Sequence, residues 1–254
     1  MKALDEGSTS TRRVGTAAWW LITHELLTST NDEARELPAW TAITAARQSA
    51  GRGRLARSFV SDAGGLWISA VLPAEGGMLR WTGFSLVVGR YLLKWLQALG
   101  VEGARLRWPN DLMIGSRKLG GLLIEQGQPG TFIVGLGMNV SNTPWLQDQG
   151  LAETATRLAD HLEAELDLDE LAVQVLDVIA NAHADMQING LQRTINALNL
   201  DWEKGSMVEI TRNGSASLRG WFTGLDLEGN LRVVEADGNP LIVEHHLVER
   251  LVEI

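Results

Sequence analysis

About fifty residues at the end of the chain alternate short apolar runs with turn sequences, and this alternation restricts the possible fold more than any other feature. Four strands are predicted there, at 207–211, 217–223, 231–235 and 241–244. The turn sequences between them are Asn213-Gly214, Glu228-Gly229-Asn230 and Asp237-Gly238-Asn239-Pro240. Turn clusters at roughly ten-residue intervals are typical of a small all-β module. We therefore predict a boundary near residue 203, with one domain at 1–203 and a second at 204–254.

The longer first part mixes strand and helix patterns. Runs rich in β-branched residues, bounded by glycine, proline or polar turns, predict strands at 40–45, 66–72 and 132–140. Apolar residues at helical spacing predict a helix at 84–99 that ends before Gly100. A second helix is predicted at 169–188, with Asp169 as its N-cap. This order of elements indicates an α+β domain followed by a β-barrel-like module.

Composition excludes several classes of protein. A chain of 254 residues can bury a sizeable core without covalent cross-links. It has no cysteine, which removes disulfides, thiolate nucleophiles and cysteine-based metal sites. A net charge of −9 disfavours a general nucleic-acid binder, and no apolar run approaches the roughly 20 residues of a membrane span. We expect a cytoplasmic protein that binds neither nucleic acid nor membrane.

The strongest local signal is the segment Gln48–Arg57. Four arginines fall between Arg47 and Arg57, and two glycines lie among them without hydrophobic periodicity. Glycine lets the backbone approach a ligand, and arginine supplies forked donors that suit carboxylates and phosphates. The segment is interpreted either as a loop that wraps an anion or as a solvated basic loop. In the first case we expect residues 51–57 to become ordered only on binding.

Three glycine- or proline-marked segments follow. In Arg107-Trp108-Pro109-Asn110-Asp111, the side chains of Asn110 and Asp111 either cap a turn, accept from a nucleotide or hold magnesium. Lys118 precedes Gly120 and Gly121 at the start of a strand, where it would point into a cleft or belong to an ordinary hairpin. Glycines within Gly135–Val140 weaken a strand, so they often mark the close approach of another group.

Small polar residues near the start of the chain allow two roles. Thr30 and Glu33 fit a capping box, and the same segment can offer donors and acceptors to a ligand. The histidines, by contrast, have no spacing that makes a metal site or a catalytic triad, so each is interpreted as structural or surface-exposed: His24, His161, His183, His245 and His246.

Taken together, these segments resemble the biotin–protein ligases, and the resemblance spans roughly residues 20–254 in the order that the family shows. The motifs S-T-N, Q-x-A-G-R-G-R-x-x-R, K-W-P-N-D, K-L-A/G-G-I-L-x-E and G-x-G-x-N correspond to 29–31, 48–57, 107–111, 118–125 and 135–139. The resemblance implies an α+β catalytic domain, with a mixed or antiparallel sheet flanked by helices, and a C-terminal SH3-like domain. Since Ser29 lies near the start, we expect the purely enzymatic class without a DNA-binding domain.

The resemblance also implies three sets of site residues. The catalytic set is Arg52, Arg54, Lys118 and Asp111. The biotin-binding set is Ser29, Thr30, Asn31, Gln48, Arg52, Gly53, Arg54, Lys118, Gly121 and Gly135. The ATP-binding set is Arg54, Arg57, Phe59, Trp67, Asn110, Lys118 and Asn139. No metal site of the protein itself is expected, because Mg²⁺ would arrive with ATP and be held mainly by phosphate oxygens.

The implied reaction is the ATP-dependent activation of biotin as biotinyl-5′-AMP, followed by transfer to a lysine. The expected acceptor is a biotin carboxyl carrier domain of an acyl-CoA or pyruvate carboxylase, and the enzyme is expected to be a monomer or homodimer. Asp111 would orient or deprotonate the incoming amine. The alternatives are a lipoate–protein ligase, a non-catalytic biotin-binding protein and a generic nucleotide-binding α+β protein. Thr28, Phe59 and Arg107 depart from the family pattern, which bears on nucleotide affinity.

Overall fold

The computed structural model describes residues 8–202, 205–212 and 217–254, and these form two sheets and four α-helices. The strands of the first sheet are β1 (Ser8–Val14), β2 (Trp19–Leu27), β3 (Thr41–Gln48), β4 (Gly65–Pro73), β5 (Ala104–Arg107), β6 (Asp111–Ile114), β7 (Arg117–Gln126) and β8 (Thr131–Asn139). The helices are α1 (Thr30–Ala34), α2 (Phe84–Ala98), α3 (Leu168–Asn189) and α4 (Gln192–Asp201). The second sheet contains β9 (Met207–Arg212), β10 (Leu218–Leu225), β11 (Leu231–Glu235), β12 (Pro240–Val243) and β13 (Val248–Glu253).

The first sheet has the order β1-β2-β3-β4-β8-β7-β6-β5. Only β2 and β3 pair in parallel among the described strands, so the sheet is mixed. Nearly every residue of β4 is buried, which means that both faces of the sheet are covered there. Helix α1 packs on β3, β4 and β8, whereas α2 packs on β5, β6 and β7. The predicted α+β class with a mixed sheet is confirmed.

The second sheet has the order β12-β11-β10-β9-β13, and all its pairs are antiparallel. Buried and exposed residues alternate along β10, as expected of a strand with one face on a core. This sheet fits an SH3-like domain. All four strands predicted for this region are present, and β13 is an additional strand that the turn pattern did not reveal. The predicted turn at Asn213-Gly214 lies outside the described residues.

The chain divides into two compact units between Ala184 and Asp185, inside α3. The boundary near residue 203 stays a prediction, because Glu203 and Lys204 lie outside the described residues. Within the part of the chain that the structure covers, no helix is both long and apolar enough to cross a membrane.

Three local predictions need correction. The strand expected from Trp40 begins at Thr41, because Trp40 adopts a left-handed φ of 64°. The N-terminal cap of α3 is Asp167, whose Oδ1 accepts from the backbone N–H groups of Asp169 and Glu170. Thr30 does not cap α1. It is the first helical residue, the N-cap position is Ser29 without a side-chain cap bond, and the Thr30 hydroxyl bonds elsewhere.

Candidate functional site

The predicted glycines meet on one face of the first sheet. Asp111 pairs with Gly121, Gly121 with Gly137, and Gly137 with Trp67, so one row crosses β6, β7, β8 and β4. The next row on the same face places Gly135 beside Ser69. Alternate residues of a strand point to the same face. Three motif glycines therefore form a strip that lacks side chains, and we call Gly121, Gly135 and Gly137 the glycine strip.

A charged triad lies at one end of this strip. Lys118 Nζ is 2.6 Å from Asp111 Oδ1, and Arg107 Nη2 donates to Asp111 Oδ2 at 2.6 Å. A Cβ atom on Gly121 would lie 3.2 Å from Lys118 Nζ and 3.4 Å from Asp111 Oδ1, so glycine gives the pair its room. Burial would raise the pKa of Asp111, but the charges and hydrogen bonds of Lys118 and Arg107 lower it overall. Two cations around one carboxylate leave one positive charge in excess.

A chain of polar side chains lies beside Gly135. Gln48 Oε1 accepts from the Thr30 backbone N–H at 2.8 Å and from the Thr30 hydroxyl at 3.1 Å. The Ser69 hydroxyl lies 2.8 Å from Thr30 Oγ1 and 2.6 Å from Asn31 Oδ1. Gln48 Nε2 in turn donates to Ser61 Oγ at 2.9 Å. The structure thus brings together the predicted Thr30, Asn31 and Gln48, and it adds Ser69 and Ser61. We call these five hydrogen-bonded side chains the polar chain.

A second group of charges joins α1, β7 and the segment 52–59, which we call the arginine loop. Arg52 donates to Glu125 Oε1 at 2.8 Å and to Asp32 Oδ1 at 2.5 Å. Arg35 also donates to Glu125 Oε1, at 2.9 Å, and lies 3.4 Å from Asp32 Oδ1. We call Asp32, Arg35, Arg52 and Glu125 the clasp. Its two cations and two carboxylates balance, so it carries no excess charge.

The contacts within the clasp shift the pKa values of three of its members. Burial would raise the pKa of Glu125, but hydrogen bonds from Arg52 and Asn31 lower it overall. The pKa of Asp32 is likewise lowered, since Arg52 and Arg35 outweigh the effect of burial. The pKa of Arg52 is raised, chiefly by its hydrogen bond to Glu125. Asp32, Arg52 and Glu125 are therefore charged at neutral pH.

The arginine loop folds back on itself. Gly53 N–H donates to Arg57 O at 2.8 Å, and Phe59 N–H donates to Gly51 O at 2.8 Å. Leu55 and Ala56 both have a φ of 55°, in the left-handed region that non-glycine residues seldom adopt. Burial lowers the pKa of Arg54, and the charge of Asp111 opposes this. Asp111 is therefore close enough to Arg54 for their charges to interact.

Aromatic rings cover the other part of the strip. Phe59 packs edge-on against Trp67 with ring centroids 5.8 Å apart, and Lys118 Nζ lies 5.6 Å from the Phe59 ring. A Cβ atom on Gly137 would lie 3.1 Å from the Phe59 ring. Trp67 is fully buried, and its indole N–H donates to Asp62 O. Phe59 is therefore the aromatic side chain that lies over the strip.

Other predicted site residues have structural contacts. Asn110 Nδ2 donates to Leu122 O at 2.7 Å, and Asn139 Nδ2 donates to Thr156 O at 3.0 Å. Asn139 and Ser29 are buried, whereas Arg57 is exposed. The roles of these residues toward a ligand stay predictions.

Sequence reasoning missed the roles of Ser61 and of four further residues in the site. Glu125 ends the Lys118–Glu125 motif, and Asp32 directly follows Asn31, so both stood within quoted segments. Ser69 is a lone polar residue in an apolar strand, which is a usable signal for a buried contact. Nothing in the sequence pointed to Arg35.

Residues 52–137 contribute the glycine strip, the charged triad and the arginine loop. The Biotin/lipoate A/B protein ligase family model matches residues 22–139. The Biotin--[acetyl-CoA-carboxylase] ligase of Paracoccus denitrificans is 31% identical over 219 residues, which are 80% of this chain and 89% of that protein. The chain therefore belongs to the biotin protein ligase family, and it is a ligase.

Two further similarities extend over most of the chain. The Bifunctional ligase/repressor BirA of Bacillus subtilis is 28% identical over 233 residues, which are 86% of this chain and 70% of that protein. The solved structure of biotin protein ligase from Aquifex aeolicus in complex with biotin and ATP has a TM-score of 0.78 at 24% identity. The match covers 92% of this chain and 99% of that chain, so the two share a fold.

Proposed function

We propose that the protein activates biotin with ATP as biotinyl-5′-AMP and transfers the biotinyl group to a lysine of a biotin carboxyl carrier domain. The observation that carries this proposal is the charged triad beside the glycine strip. It combines an excess positive charge with a slot that has no side chains. Membership of the biotin protein ligase family supports biotin as the acid, as does the named substrate of the Paracoccus relative.

The first step must bring two anions together. A carboxylate oxygen of biotin forms a bond to the α-phosphorus of ATP, and pyrophosphate leaves with the electron pair of the broken P–O bond. Two unit charges of the same sign at 4 Å repel by about 4 kcal/mol at an effective dielectric constant near 20. We assign the offset of this repulsion to Lys118, with Arg54 and Arg52 closing over the same anions. Closure would also exclude water from the reactive anhydride.

Biotin recognition is assigned to the polar chain and the glycine strip. The ureido group of biotin has two donors and one acceptor, and Ser29, Thr30, Asn31 and Gln48 offer complementary groups. The bicyclic ring and the valeryl chain need an apolar slot, which Gly121 and Gly135 provide together with the backbone at Gly53. This pairing of a polar end with a bare strip favours biotin over lipoate, whose dithiolane ring has no hydrogen-bonding group of the ureido kind.

ATP recognition is assigned to the other end of the site. Phe59 would stack on adenine, because it already lies over the strip. Trp67 would wall the site behind it. The remaining nucleotide contacts are assigned to Arg54, Arg57, Asn110, Lys118 and Asn139. Arg107 replaces a lysine of the family pattern and keeps its charge toward Asp111.

Magnesium is best treated as part of the nucleotide substrate. The carboxylates nearest the strip are held by cations: Asp111 by Lys118 and Arg107, and Glu125 by Arg52 and Arg35. Among the described residues, no group of three or more histidines and carboxylates has metal-binding geometry. These residues do not fit a protein cage for the ion. We therefore propose that Mg²⁺ binds through the phosphates of ATP.

The second step transfers the acyl group. The neutral lysine amine of the carrier attacks the acyl carbon, and the bond to the adenylate oxygen breaks. AMP leaves with the electron pair of that bond, and the proton lost from the nitrogen passes to water. The two cations that lower the pKa of Asp111 also make it a weak base. We therefore assign Asp111 the task of orienting Lys118 and the incoming amine rather than removing the proton. The carrier domain of an acyl-CoA or pyruvate carboxylase, a cytoplasmic location and a monomeric or homodimeric state complete the proposal.

Pyrophosphate release tests the proposal directly. The purified protein is given ATP and Mg²⁺ with biotin in one reaction and lipoate in the other, and a carrier domain is then added to follow transfer. Release with biotin alone supports the assignment. Release with lipoate alone would keep the chemistry and replace the substrate. Thermal stabilisation by biotin without any release would favour a binding protein instead.

A further inference from the structure

We propose that Glu125 is a positioning residue that sets the affinity for biotin by fixing Asn31 and Arg52 at once. The proposal rests on the proposed function, since biotin is the ligand for which these two residues are positioned. Glu125 lies on β7, and its carboxylate is the point where the polar chain and the clasp meet. A residue at such a junction can control both groups without touching the reacting atoms.

The first contact fixes the Asn31 amide. Asn31 Nδ2 donates to Glu125 Oε2 at 2.8 Å, while Asn31 Oδ1 lies 2.6 Å from the Ser69 hydroxyl. An ionised carboxylate only accepts hydrogen bonds, so the amide must turn its nitrogen toward Glu125 and its oxygen toward Ser69. A Cβ atom on Gly135 would overlap the Asn31 side chain, so the amide is also held closely against the strip. The donors and acceptors that reach the slot from Asn31 are thereby determined.

The second contact fixes Arg52. Glu125 and Arg52 are 19% and 23% exposed, whereas Asp32 and Arg35 are 46% and 43% exposed. Ion pairs that are less solvated are stronger per contact. Glu125 is therefore the main partner of Arg52, and Asp32 is the secondary one. Through Arg52, Glu125 attaches the arginine loop to β7.

The two contacts complete a closed series of hydrogen bonds beside the strip, which we call the circuit. Starting from Glu125, the hydrogen bonds run through Asn31 and Ser69 to the Thr30 hydroxyl, and the Thr30 backbone N–H donates to Gln48. Gln48 leads through Ser61 to the backbone oxygen of Phe59. Phe59 ends the same loop that Arg52 begins, and Arg52 returns to Glu125. Loss of the Glu125 charge would weaken its bonds to both Asn31 and Arg52 and so interrupt the circuit. Asp32 takes no part in the Asn31 contact, so it offers a matched comparison.

The test compares E125Q with D32N and E36Q in the full chain, using pyrophosphate release. Glutamine has nearly the same shape but both donates and accepts, so Asn31 is no longer forced into one orientation. A lost hydrogen bond to a charged group predicts a rise in the KM for biotin of about tenfold to a hundredfold in E125Q. The KM for ATP should rise by less than the KM for biotin, because Glu125 holds Asn31 directly but reaches the nucleotide contacts only through Arg52 and the loop.

D32N removes the exposed partner of Arg52 and leaves Asn31 bound, so its KM for biotin should rise by less than about threefold. E36Q makes the same chemical change at an exposed carboxylate near the end of α1 and should stay within about twofold of the wild type.

Three results would overturn the proposal. The first is a KM for biotin in E125Q that equals the wild-type value. The second is an equal rise in D32N, which would assign the whole effect to Arg52 and remove Asn31 from it. The third is a parallel loss of every kinetic parameter with loss of cooperative unfolding, which would mean a structural role only.

A wild-type protein that releases no pyrophosphate with biotin would instead refute the proposed function. Tryptic cleavage after Arg54 and Arg57 would then test the positioning role without any ligand. The expected result is cleavage of E125Q at least about fivefold faster than the wild type, because the loop has lost its main attachment. Equal cleavage rates would overturn the positioning role.

Discussion

The charged triad and the clasp lie on the same face of one sheet, and both join arginine or lysine to carboxylates. The triad holds two cations on Asp111, and the clasp holds two cations on two carboxylates. The triad thus keeps one positive charge for a ligand, whereas the clasp is neutral overall and holds Arg52 where the loop can close over that ligand. Charge balance rather than the number of arginines distinguishes a site that attracts anions from one that holds a loop. The predictions below test this distinction.

The largest effect is expected from K118A, which removes the excess charge of the triad. The loss of one preorganised donor to a developing anion predicts a fall in kcat/KM for pyrophosphate release of about a hundredfold to a thousandfold. K94A is the control, because Lys94 is exposed on α2 beside Tyr91. A K118A variant with nearly wild-type rates would place the anion site elsewhere, with the clasp as the next candidate.

A pair of glycine substitutions compares the two ends of the strip. G135A would place a methyl group into the Asn31 amide, which Glu125 and Ser69 hold, so the KM for biotin should rise by about tenfold or more. G121A would meet the flexible end of Lys118 at 3.2 Å, and the ammonium group can move aside. Its KM for biotin should rise by less than that of G135A, because the added methyl group meets only the movable Lys118 and the ligand itself. The reverse order of effects would show that the triad is the more rigid end.

The stabilities of D111N and D32N compare the buried and the exposed carboxylate. The Asp111 side chain is 17% exposed and sits between two cations. D111N should lower the free energy of unfolding at pH 7 by about 1–3 kcal/mol, and D32N by less than about 1 kcal/mol. Chemical denaturation measures both. Equal losses would contradict the view that the clasp is the weaker, more solvated group.

The pH dependence of stability tests whether Asp111 stabilises the protein through its charge. The folded pKa of Asp111 lies below its ordinary value near 3.9, so its contribution is complete above that pH and disappears as pH falls through the lower folded value. The difference in stability between wild type and D111N should therefore shrink below about pH 4. A difference that is constant with pH would mean that packing, not charge, stabilises Asp111.

The smallest effect is expected at His183, which lies outside both charged groups. Its ring stacks on Trp81 with centroids 4.4 Å apart, Nε2 lies 3.0 Å from Pro73 O, and burial lowers its pKa. The unfolded chain binds the proton first, so stability falls as pH drops below about 6.5. Between pH 7 and 5.5 the wild type should lose up to about 1 kcal/mol that H183Q does not lose. Parallel curves for the two proteins would exclude His183 as the cause.

Local sequence signals predicted much of the fold. Gly100, with a φ of 94°, ends α2 as the helix pattern indicated, and Lys118 lies near the start of β7 as predicted. Asp111 was predicted at a strand end, whereas it begins β6. The strands β1, β2 and β13 were among those missed, because the stability of a strand depends on pairing with its neighbours as well as on its own residues. The cap at Asp167 rather than Asp169 shows that helix ends are the least certain part of such a prediction.

For the site, the sequence by itself determined which residue types are present and where the backbone must lack side chains. The glycines, the arginine loop and the Lys118 segment are all readable as local patterns. Only the tertiary structure decided which charges are left for a ligand. Arg52 meets Glu125 across 73 positions because the sheet order brings β7 beside β8 and α1. Charge pairing depends on distances of a few ångströms, and strand register, not spacing along the chain, sets those distances.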